Sequence, residues 1–166
     1  MNSFLSRAVY LGVALGCFAS LAVAGDAPNS PLSSGQKIYV PVYSHILHGN
    51  INNKGNPSTL LLSSMLSVRN TDPYSRMKLT VVKYYDTEGA LLRDYLKEPV
   101  ILGPMGSTEF FVEHSERKGG AGANFVLAWE ADKAINPPIA ETVNAYFFGT
   151  HSMAFATRGE VIHSVK

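Results

Sequence analysis

Five histidines are the first residues of this sequence that could do chemistry, because imidazole nitrogens bind copper and zinc. His45 and His48 are three residues apart on a predicted strand, and this spacing places their side chains on opposite faces. His114, His151 and His163 lie in three separate segments, and no HExxH pattern occurs. The spacing therefore favours ordinary surface or turn positions. A copper or zinc carrier that uses histidines stays open as an alternative.

Hydrolysis would need an exposed nucleophile next to a base. The sequence has no Gly-x-Ser-x-Gly elbow, and the closest segment, residues 149–152, lacks that form. Triad members need not be neighbours in sequence, so a small periplasmic hydrolase is a second alternative. Paired carboxylates such as Asp86 with Glu88, or Glu109 with Glu113, are typical of solvated faces and strand edges. We expect no enzymatic activity, no catalytic residue and no cofactor.

The string GGAGAN at residues 119–124 is the most unusual in the chain. Glycine-rich loops hold phosphate where they open a helix, but no Lys-Ser or Lys-Thr follows here and the next element is a predicted strand. The string is either a tight loop with positive φ angles and close backbone approach, or a ligand contact.

Aromatic side chains suggest a second surface. Tyr39, Tyr43 and His45 share one face of the first predicted strand, and Pro41 between them lacks a backbone donor, which favours an edge position. Such a face either binds a partner or packs beneath a neighbouring element. The candidate interaction surface comprises Tyr39, Tyr43, His45, Phe111, Gly120, Gly122 and Asn124.

The elements that must position these residues are predicted strands. From Lys37 onward, short alternating or apolar runs are separated by Gly, Pro, Asn and Asp, and no long segment has a helical period. The pattern predicts an all-β fold, an antiparallel immunoglobulin-like or fibronectin-like β-sandwich of about 7–9 strands with little helix. Asn70 to Pro73 predicts one turn, and Asp86 to Gly89 predicts a hairpin between the strand at 79–85 and residues 90–96.

Alternation assigns residues to faces. Leu62, Ser64, Leu66 and Val68 share one face with Leu60. Phe110 and Val112 share another, opposite Phe111. The clearest case is Phe125, Leu127 and Trp129, and we expect Trp129 to fill the space between the sheets.

The N-terminus predicts export. Arg7 precedes an apolar run from Ala8 to Val23, and Ala22-Val23-Ala24 has the small-x-small pattern of signal peptidase cleavage before Gly25. The run is too short and too interrupted for a membrane span. We predict a signal peptide at 1–24, a flexible tether at 25–36, a single domain at 37–166, and a periplasmic location without a membrane span after cleavage. A lipoprotein attached through Cys17 is the less favoured alternative.

Charge and cysteine content exclude some classes of partner. Cleavage would remove Arg7 and leave 13 basic against 13 acidic residues, a balance that argues against nucleic acid and against docking on anionic lipid. Cys17, the only cysteine, would also be removed, so packing alone must hold the mature chain.

Five ordered motifs resemble a bacterial family of exported domains of unknown function, across about Lys37 to Ile162. The resemblance implies export and a single domain. No activity, cofactor or catalytic residue is established for the family, so none is carried over to this chain. A looser similarity is to immunoglobulin-like and fibronectin-like modules of the envelope. We therefore expect a non-catalytic binding or interaction module whose partner is another envelope protein, and the sequence does not specify its oligomeric state. The motifs are VPVYSHI (40–46), SVRNTD (67–72), YYDTEG (84–89), FFVE (110–113) and GAGANF (120–125).

Overall fold

Alternating sequence becomes strand throughout the part of the chain that the computed structural model describes, residues 31–165, which contains no helix. These residues form twelve strands. Four of them have only three or four residues and account for the excess over the predicted seven to nine. The strands are β1 (Ser33–Pro41), β2 (His45–His48), β3 (Ser58–Leu61), β4 (Ser63–Arg69), β5 (Met77–Tyr85), β6 (Leu91–Asp94), β7 (Val100–Leu102), β8 (Ser107–Val112), β9 (Asn124–Ile135), β10 (Ile139–Phe148), β11 (His151–Arg158) and β12 (Glu160–Val165).

Two antiparallel sheets face each other. The larger has the order β12-β1-β9-β5-β6, with β7 also paired to β5, and the smaller has the order β11-β10-β4-β8. The hairpin β2–β3 stands apart as a two-stranded sheet. This arrangement confirms the predicted all-β antiparallel sandwich. The predicted 86–89 hairpin is also confirmed, since β5 pairs with β6 and Gly89 has a φ of +83°.

The core lies between the two sheets and contains the residues that alternation placed there. Phe125 and Leu127 have no exposed surface, and Trp129 is 2% exposed. On the opposing sheet Leu66, Val68 and Val112 are also buried. The register shift between Leu79 and Val81 is a β-bulge, which returns β5 to the core face at Val82. The predicted faces of β4, β8 and β9 are therefore confirmed.

The first strand differs from its prediction. β1 ends at Pro41, and the chain then crosses between the sheets through Val42 to Ser44 before β2 begins, so Tyr39, Tyr43 and His45 do not share a face of one strand. β1 is not an edge strand, because it lies between β12 and β9, although Pro41 itself is paired on one side only. Proline is accommodated there because the pairing with β12 ends at Tyr39.

The end of the predicted tether needs a correction as well. β1 begins at Ser33, and Gly35 and Gln36 pair with both β9 and β12. Antiparallel hydrogen bonds thus order the last four residues of the 25–36 segment despite their polar composition. The predicted signal peptide, and the tether up to residue 30, lie outside the described residues.

At the predicted turn, residues 70–73, the buried polar side chains of Asn70 and Asp72 form a cluster of hydrogen bonds. The Asn70 amide donates to the carbonyls of Ser75 and Gly103, both at 2.8 Å. The Asp72 carboxylate accepts from the backbone N–H of Tyr74 at 2.9 Å and of Asn136 at 3.2 Å. These N–H donors, Tyr74 foremost, hold the pKa of Asp72 below its ordinary value. This cluster of hydrogen bonds joins the end of β4 to the β9–β10 turn.

Trp129 gives the first testable prediction. Truncation of a buried aromatic loses its transfer free energy and leaves a cavity, so Trp129→Ala should cost about 3–5 kcal/mol of the ~5–15 kcal/mol that holds such a domain. Within the described chain the Trp129 Nε1 has no hydrogen-bond partner, so Trp129→Phe is a control that breaks no hydrogen bond, leaves a smaller cavity and should cost less. Urea denaturation measures both. Two results together would contradict the core position: tryptophan fluorescence of the wild-type protein with the emission maximum of free indole, and a Trp129→Ala variant that melts at the wild-type temperature.

Candidate functional site

The glycine string is tied to its neighbours by its backbone. The Gly120 N–H donates to the Ser44 hydroxyl at 2.7 Å, and the Ser44 N–H donates to the Gly120 carbonyl at 3.1 Å. The Thr87 N–H and hydroxyl both donate to the Gly119 carbonyl, at 2.9 and 3.0 Å, and the Gly122 N–H donates to the Thr87 hydroxyl at 3.1 Å. The loop therefore fastens the β5–β6 turn to the 42–44 crossing.

Glycine is needed here for close approach. A Cβ on Gly119 would overlap the Tyr84 hydroxyl, and one on Gly120 would overlap the Thr87 hydroxyl. Gly120 also has a φ of +83°, which side chains rarely adopt. At Gly122 a Cβ would lie 3.0 Å from the Thr87 methyl. Of the two interpretations of the string, the geometry gives these glycines a structural role.

A hydrogen-bonded pair, Tyr84 and Glu116, anchors the same glycine loop at Gly119. The Tyr84 hydroxyl donates to Glu116 Oε2 at 2.8 Å, and that carboxylate also accepts from the N–H groups of Lys118 at 2.6 Å and Gly119 at 3.0 Å. Burial of Tyr84, together with its bond to the carboxylate, raises the pKa of its hydroxyl far above the ordinary value. The tyrosine stays neutral, and the carboxylate accepts three hydrogen bonds within the chain.

The cleft beside this pair, of about 530 Å³, is lined by charges of both signs. The Tyr95 hydroxyl donates to the Phe111 carbonyl at 2.7 Å, and the Arg93 guanidinium lies 4.4 Å from the centre of the Tyr95 ring. Glu113, the other carboxylate of the cleft, accepts from the Ser115 hydroxyl at 3.2 Å. These contacts connect the two sheets at the side of the sandwich, and the Ser115 hydroxyl with the Glu113 carboxylate is the one hydroxyl–carboxylate contact among them.

The histidines lie apart from one another. Across residues 31–165, no group of three or more His, Cys, Asp or Glu side chains is arranged to hold a metal ion. His45 and His48 lie on β2, His151 opens β11 and His163 lies on β12. The His114 ring lies 6.2 Å from that of Tyr146.

The other candidates from the sequence also fall in different places. Tyr39 lies on the outer side of the larger sheet, opposite Val126. Tyr43 lies against Phe155, with ring centres 5.4 Å apart. Asn124 pairs with Pro41 and with Tyr85 at the start of β9. Together with His45 on β2, these residues form no common surface.

Phe111, the remaining candidate, lies on the outward face of the smaller sheet. Cross-strand pairing places Phe111, Met65, Val143 and Ala156 in one row across all four strands. Ala145 pairs with Ala154 in a second row, and Phe147 with Ser152 in a third. Phe111 is 55% exposed and Phe147 75%. We call this surface the apolar face, made of Met65, Phe111, Val143, Ala145, Phe147, Ala154 and Ala156.

Strand β10 has the reverse of the usual orientation. Between Thr142 and Phe147 the inward side chains Thr142 and Asn144 are fully buried and polar, whereas the outward ones are the Val143, Ala145 and Phe147 of the apolar face; before them, inward Ala140 is apolar and outward Glu141 is charged. The inward groups are satisfied, since the Thr142 hydroxyl donates to the Pro41 carbonyl at 2.7 Å, and Asn144 Oδ1 accepts from the Tyr43 N–H at 3.0 Å. The strand thus directs its hydrophobic surface into solvent.

Charge is confined to one end of this sheet. The next row contains Glu109, Glu141 and Arg158, and Arg69 lies 3.1 Å from Glu141 in an ion pair. Between Thr142 and Thr157 the sequence has no charged residue. The larger sheet differs, because ion pairs such as Lys78–Glu130, at 2.9 Å, lie on its outer face. Depletion of charge around exposed aromatics is typical of the centre of a protein interface.

Sequence reasoning selected Phe111 but missed the rest of the apolar face. The available signal was the uncharged stretch from Thr142 to Thr157, which contains two adjacent phenylalanines. Alternation alone could not show that Phe147 points outward.

Comparison with known proteins adds three findings. The family described as "Protein of unknown function (DUF3124)" matches residues 35–162. No curated protein matches the chain. The chain is similar to the crystal structure of Thermotoga maritima 1070, with 13% sequence identity and a TM-score of 0.42, over 75% of this chain and 92% of that one. Within residues 31–165 there is no helix that could cross a membrane.

The glycine string gives the second prediction. Gly120→Ala should destabilise the domain by more than Gly89→Ala, because both glycines have a φ of +83° but only Gly120 abuts Thr87. The shared backbone strain costs about 1–2 kcal/mol, and the overlap adds to it at Gly120 alone. Chemical denaturation measures the difference, and equal losses would show that close approach is not what requires glycine there.

Proposed function

The chain belongs to the DUF3124 family of proteins of unknown function, and we propose that it is a non-catalytic binding module of the bacterial envelope that docks on a protein partner through the apolar face. The observation that carries the proposal is the orientation of β10 from Thr142 to Phe147, with Thr142 and Asn144 buried, Val143 and Ala145 partly exposed and Phe147 in solvent. Burial of apolar surface contributes roughly 25 cal/mol per Å², so this face gains free energy by being covered.

The chemistry of the apolar face favours a protein as partner. It combines two exposed phenylalanines with small alanines, and aromatic anchors among small contacts are typical of the residues that dominate binding energy. Its seven residues carry no charge that could attract phosphate groups of nucleic acid or anionic lipid. The partner surface that fits is correspondingly apolar and uncharged.

A binding role also agrees with how the titratable groups are used. Glu116 is engaged by Tyr84 and by backbone donors, and Asp72 by three N–H groups. A small hydrolase would need a free base near a nucleophile, and a metal carrier would need converging histidines. Among the contacts described above, the hydrolase alternative could use only Glu113 with the Ser115 hydroxyl, and no group of three or more possible metal ligands occurs in residues 31–165 to support the metal carrier.

Export is the part of the proposal that rests on sequence alone. The apolar run from Ala8 to Val23 and the Ala22-Val23-Ala24 pattern support secretion with cleavage before Gly25. We place the mature domain in the periplasm, where an envelope partner would meet it.

Export is tested on the native protein. We expect an intact mass and an N-terminal sequence that begin at Gly25, in protein recovered from the periplasmic fraction. An Ala22→Asp variant, which spoils the small-x-small pattern, should be processed poorly, whereas Ser3→Asp is a control outside that pattern. A mature mass that retains residues 1–24, or a lipid on Cys17, would contradict the proposed processing.

Docking is tested by photo-crosslinking from the apolar face. A benzophenone side chain at Phe147 should capture a partner that the same group at Tyr74, an 89% exposed aromatic elsewhere, does not. With the captured partner purified, Phe147→Ser should weaken binding by about tenfold or more, with Tyr74→Ser as the matched control. Because Phe147 is exposed, its substitution should leave the unfolding free energy within about 0.5 kcal/mol of wild type.

Three results would count against a protein partner at this face. They are equal capture from both positions, unchanged affinity of Phe147→Ser for the purified partner, and flotation of the protein with phospholipid vesicles in a manner that depends on Phe147.

A further inference from the structure

Strand β11 is an edge strand of the smaller sheet, and within residues 31–165 no strand pairs with its outer side; we call this a bare edge. Its eight residues pair with β10 on one side, from Phe148 opposite His151 to Glu141 opposite Arg158. In a hairpin closed by a two-residue turn, here Gly149 and Thr150, the residues next to the turn bond to each other, so alternate residues point their N–H and C=O groups away. On β11 these are Ser152, Ala154 and Ala156. Within the described chain, no backbone hydrogen bond reaches them from outside the hairpin.

The edges at β8, β6 and β12 are guarded against pairing with a further strand. On β8 the Tyr95 hydroxyl donates to the Phe111 carbonyl, and Glu109 adds a charge. β6 has only four residues and carries Arg93 and Asp94. β12 begins with Glu160, and its pairing with β1 contains a register shift. β11 has none of the usual devices against edge-to-edge pairing, since from His151 to Thr157 it has no Lys, Asp, Glu or Pro and its pairing with β10 is regular.

An added strand must match this edge in charge and in side-chain size. The edge is formally uncharged along seven residues, so it offers no charge for a complementary strand to recognise, and an identical strand meets no like charge across it. In antiparallel pairing, residues that point their backbone groups outward must face each other. A two-fold register centred on Ala154 satisfies this requirement. It sets Ser152 opposite Ala156 of the second copy, and Met153 opposite Phe155, a favourable sulfur–aromatic pair.

We infer that β11 pairs with β11 of a second copy of this chain, across a two-fold axis at Ala154, to form an eight-stranded sheet. Two-fold contacts of one surface with itself are the commonest geometry of protein dimers. The contact uses backbone groups at the sheet edge, whereas the proposed function uses the outward side chains. The dimer would therefore hold two apolar faces side by side and leave both uncovered, which doubles the surface offered to a partner.

Sedimentation velocity on the mature chain over a range of concentrations tests the pairing, with the dimer mass expected at the upper end. Ala154→Lys places two lysines face to face at the two-fold axis and should raise the dimer dissociation constant by about tenfold or more. Ala154→Glu should do the same. Mixing the Lys and Glu variants should restore a dimer, because opposite charges then face each other. Ser107→Lys, on the guarded edge β8, is the matched control and should leave the mass unchanged.

The outcomes separate this inference from the proposed function. A monomer at every concentration, or a dimer that Ala154→Lys leaves intact, would overturn the edge pairing. Edge pairing requires a dimer that Ala154→Lys abolishes and Phe147→Ser keeps. A dimer that Phe147→Ser abolishes, whether or not Ala154→Lys does so too, would place the contact on the apolar face, to which Ala154 also belongs; this overturns the edge pairing and makes a second copy the occupant of that face. Far-ultraviolet circular dichroism of each variant is the control for folding. We expect wild-type spectra and wild-type melting temperatures, because Ala154 is exposed.

Discussion

The chain passes between the two sheets at Val42 to Ser44, and its backbone groups must find partners in an interior without solvent. The Tyr43 N–H donates to Asn144, the Pro41 carbonyl accepts from Thr142, and the Ser64 hydroxyl donates to Asn144 at 2.8 Å. An unpaired buried amide would cost roughly 1–3 kcal/mol, so polar side chains on β4 and β10 are required beneath the crossing. The orientation of β10 follows, because a strand with its polar side chains inward must present the alternate ones to solvent.

The apolar face is therefore a consequence of how the sandwich is closed. In most half-buried strands the hydrophobic side chains cover the core and the polar ones face water. Here the core of the smaller sheet is built mainly by Leu66, Val68 and Val112, while β10 contributes Thr142 and Asn144 to a polar layer at one end. The hydrophobic residues of β10 are consequently free to face a partner. Phe147 is exposed and Val143 partly exposed on this face, and exposed apolar surface of this kind is the observation behind the proposed docking of a partner.

The residues that stand out in the sequence, the glycines at 119–122 and the polar side chains of the turns, connect loops to strands through close contacts and hydrogen bonds. Gly119 and Gly120 allow the loop to approach Tyr84 and Thr87, and Glu116 gathers the Tyr84 hydroxyl with two backbone N–H groups. Asn70 and Asp72 play the same part at the opposite end of β5. Because the chain has no cysteine in the described residues, these polar ties do the cross-linking that disulfides provide in many small exported domains. The segments of unusual composition thus lie where loops are tied to the sheets, whereas the apolar face, the surface of the proposed docking, consists of alanine, valine, methionine and phenylalanine.

Periodicity in the sequence determined the fold class, the turns at 70–73 and 86–89, and the inward set of Phe125, Leu127 and Trp129, since these depend on neighbours within a few residues. The end of β1 at Pro41, the pairing of residues 33–36 and the outward direction of Phe147 were decided by tertiary structure. Alternation shows which side chains share a face, but the inward face of β10 is set by the crossing chain about a hundred residues away. The uncharged stretch from Thr142 to Thr157 was visible in the sequence. Its meaning as an apolar face beside a bare edge depended on Met65 and Phe111, which only the sheet brings beside it.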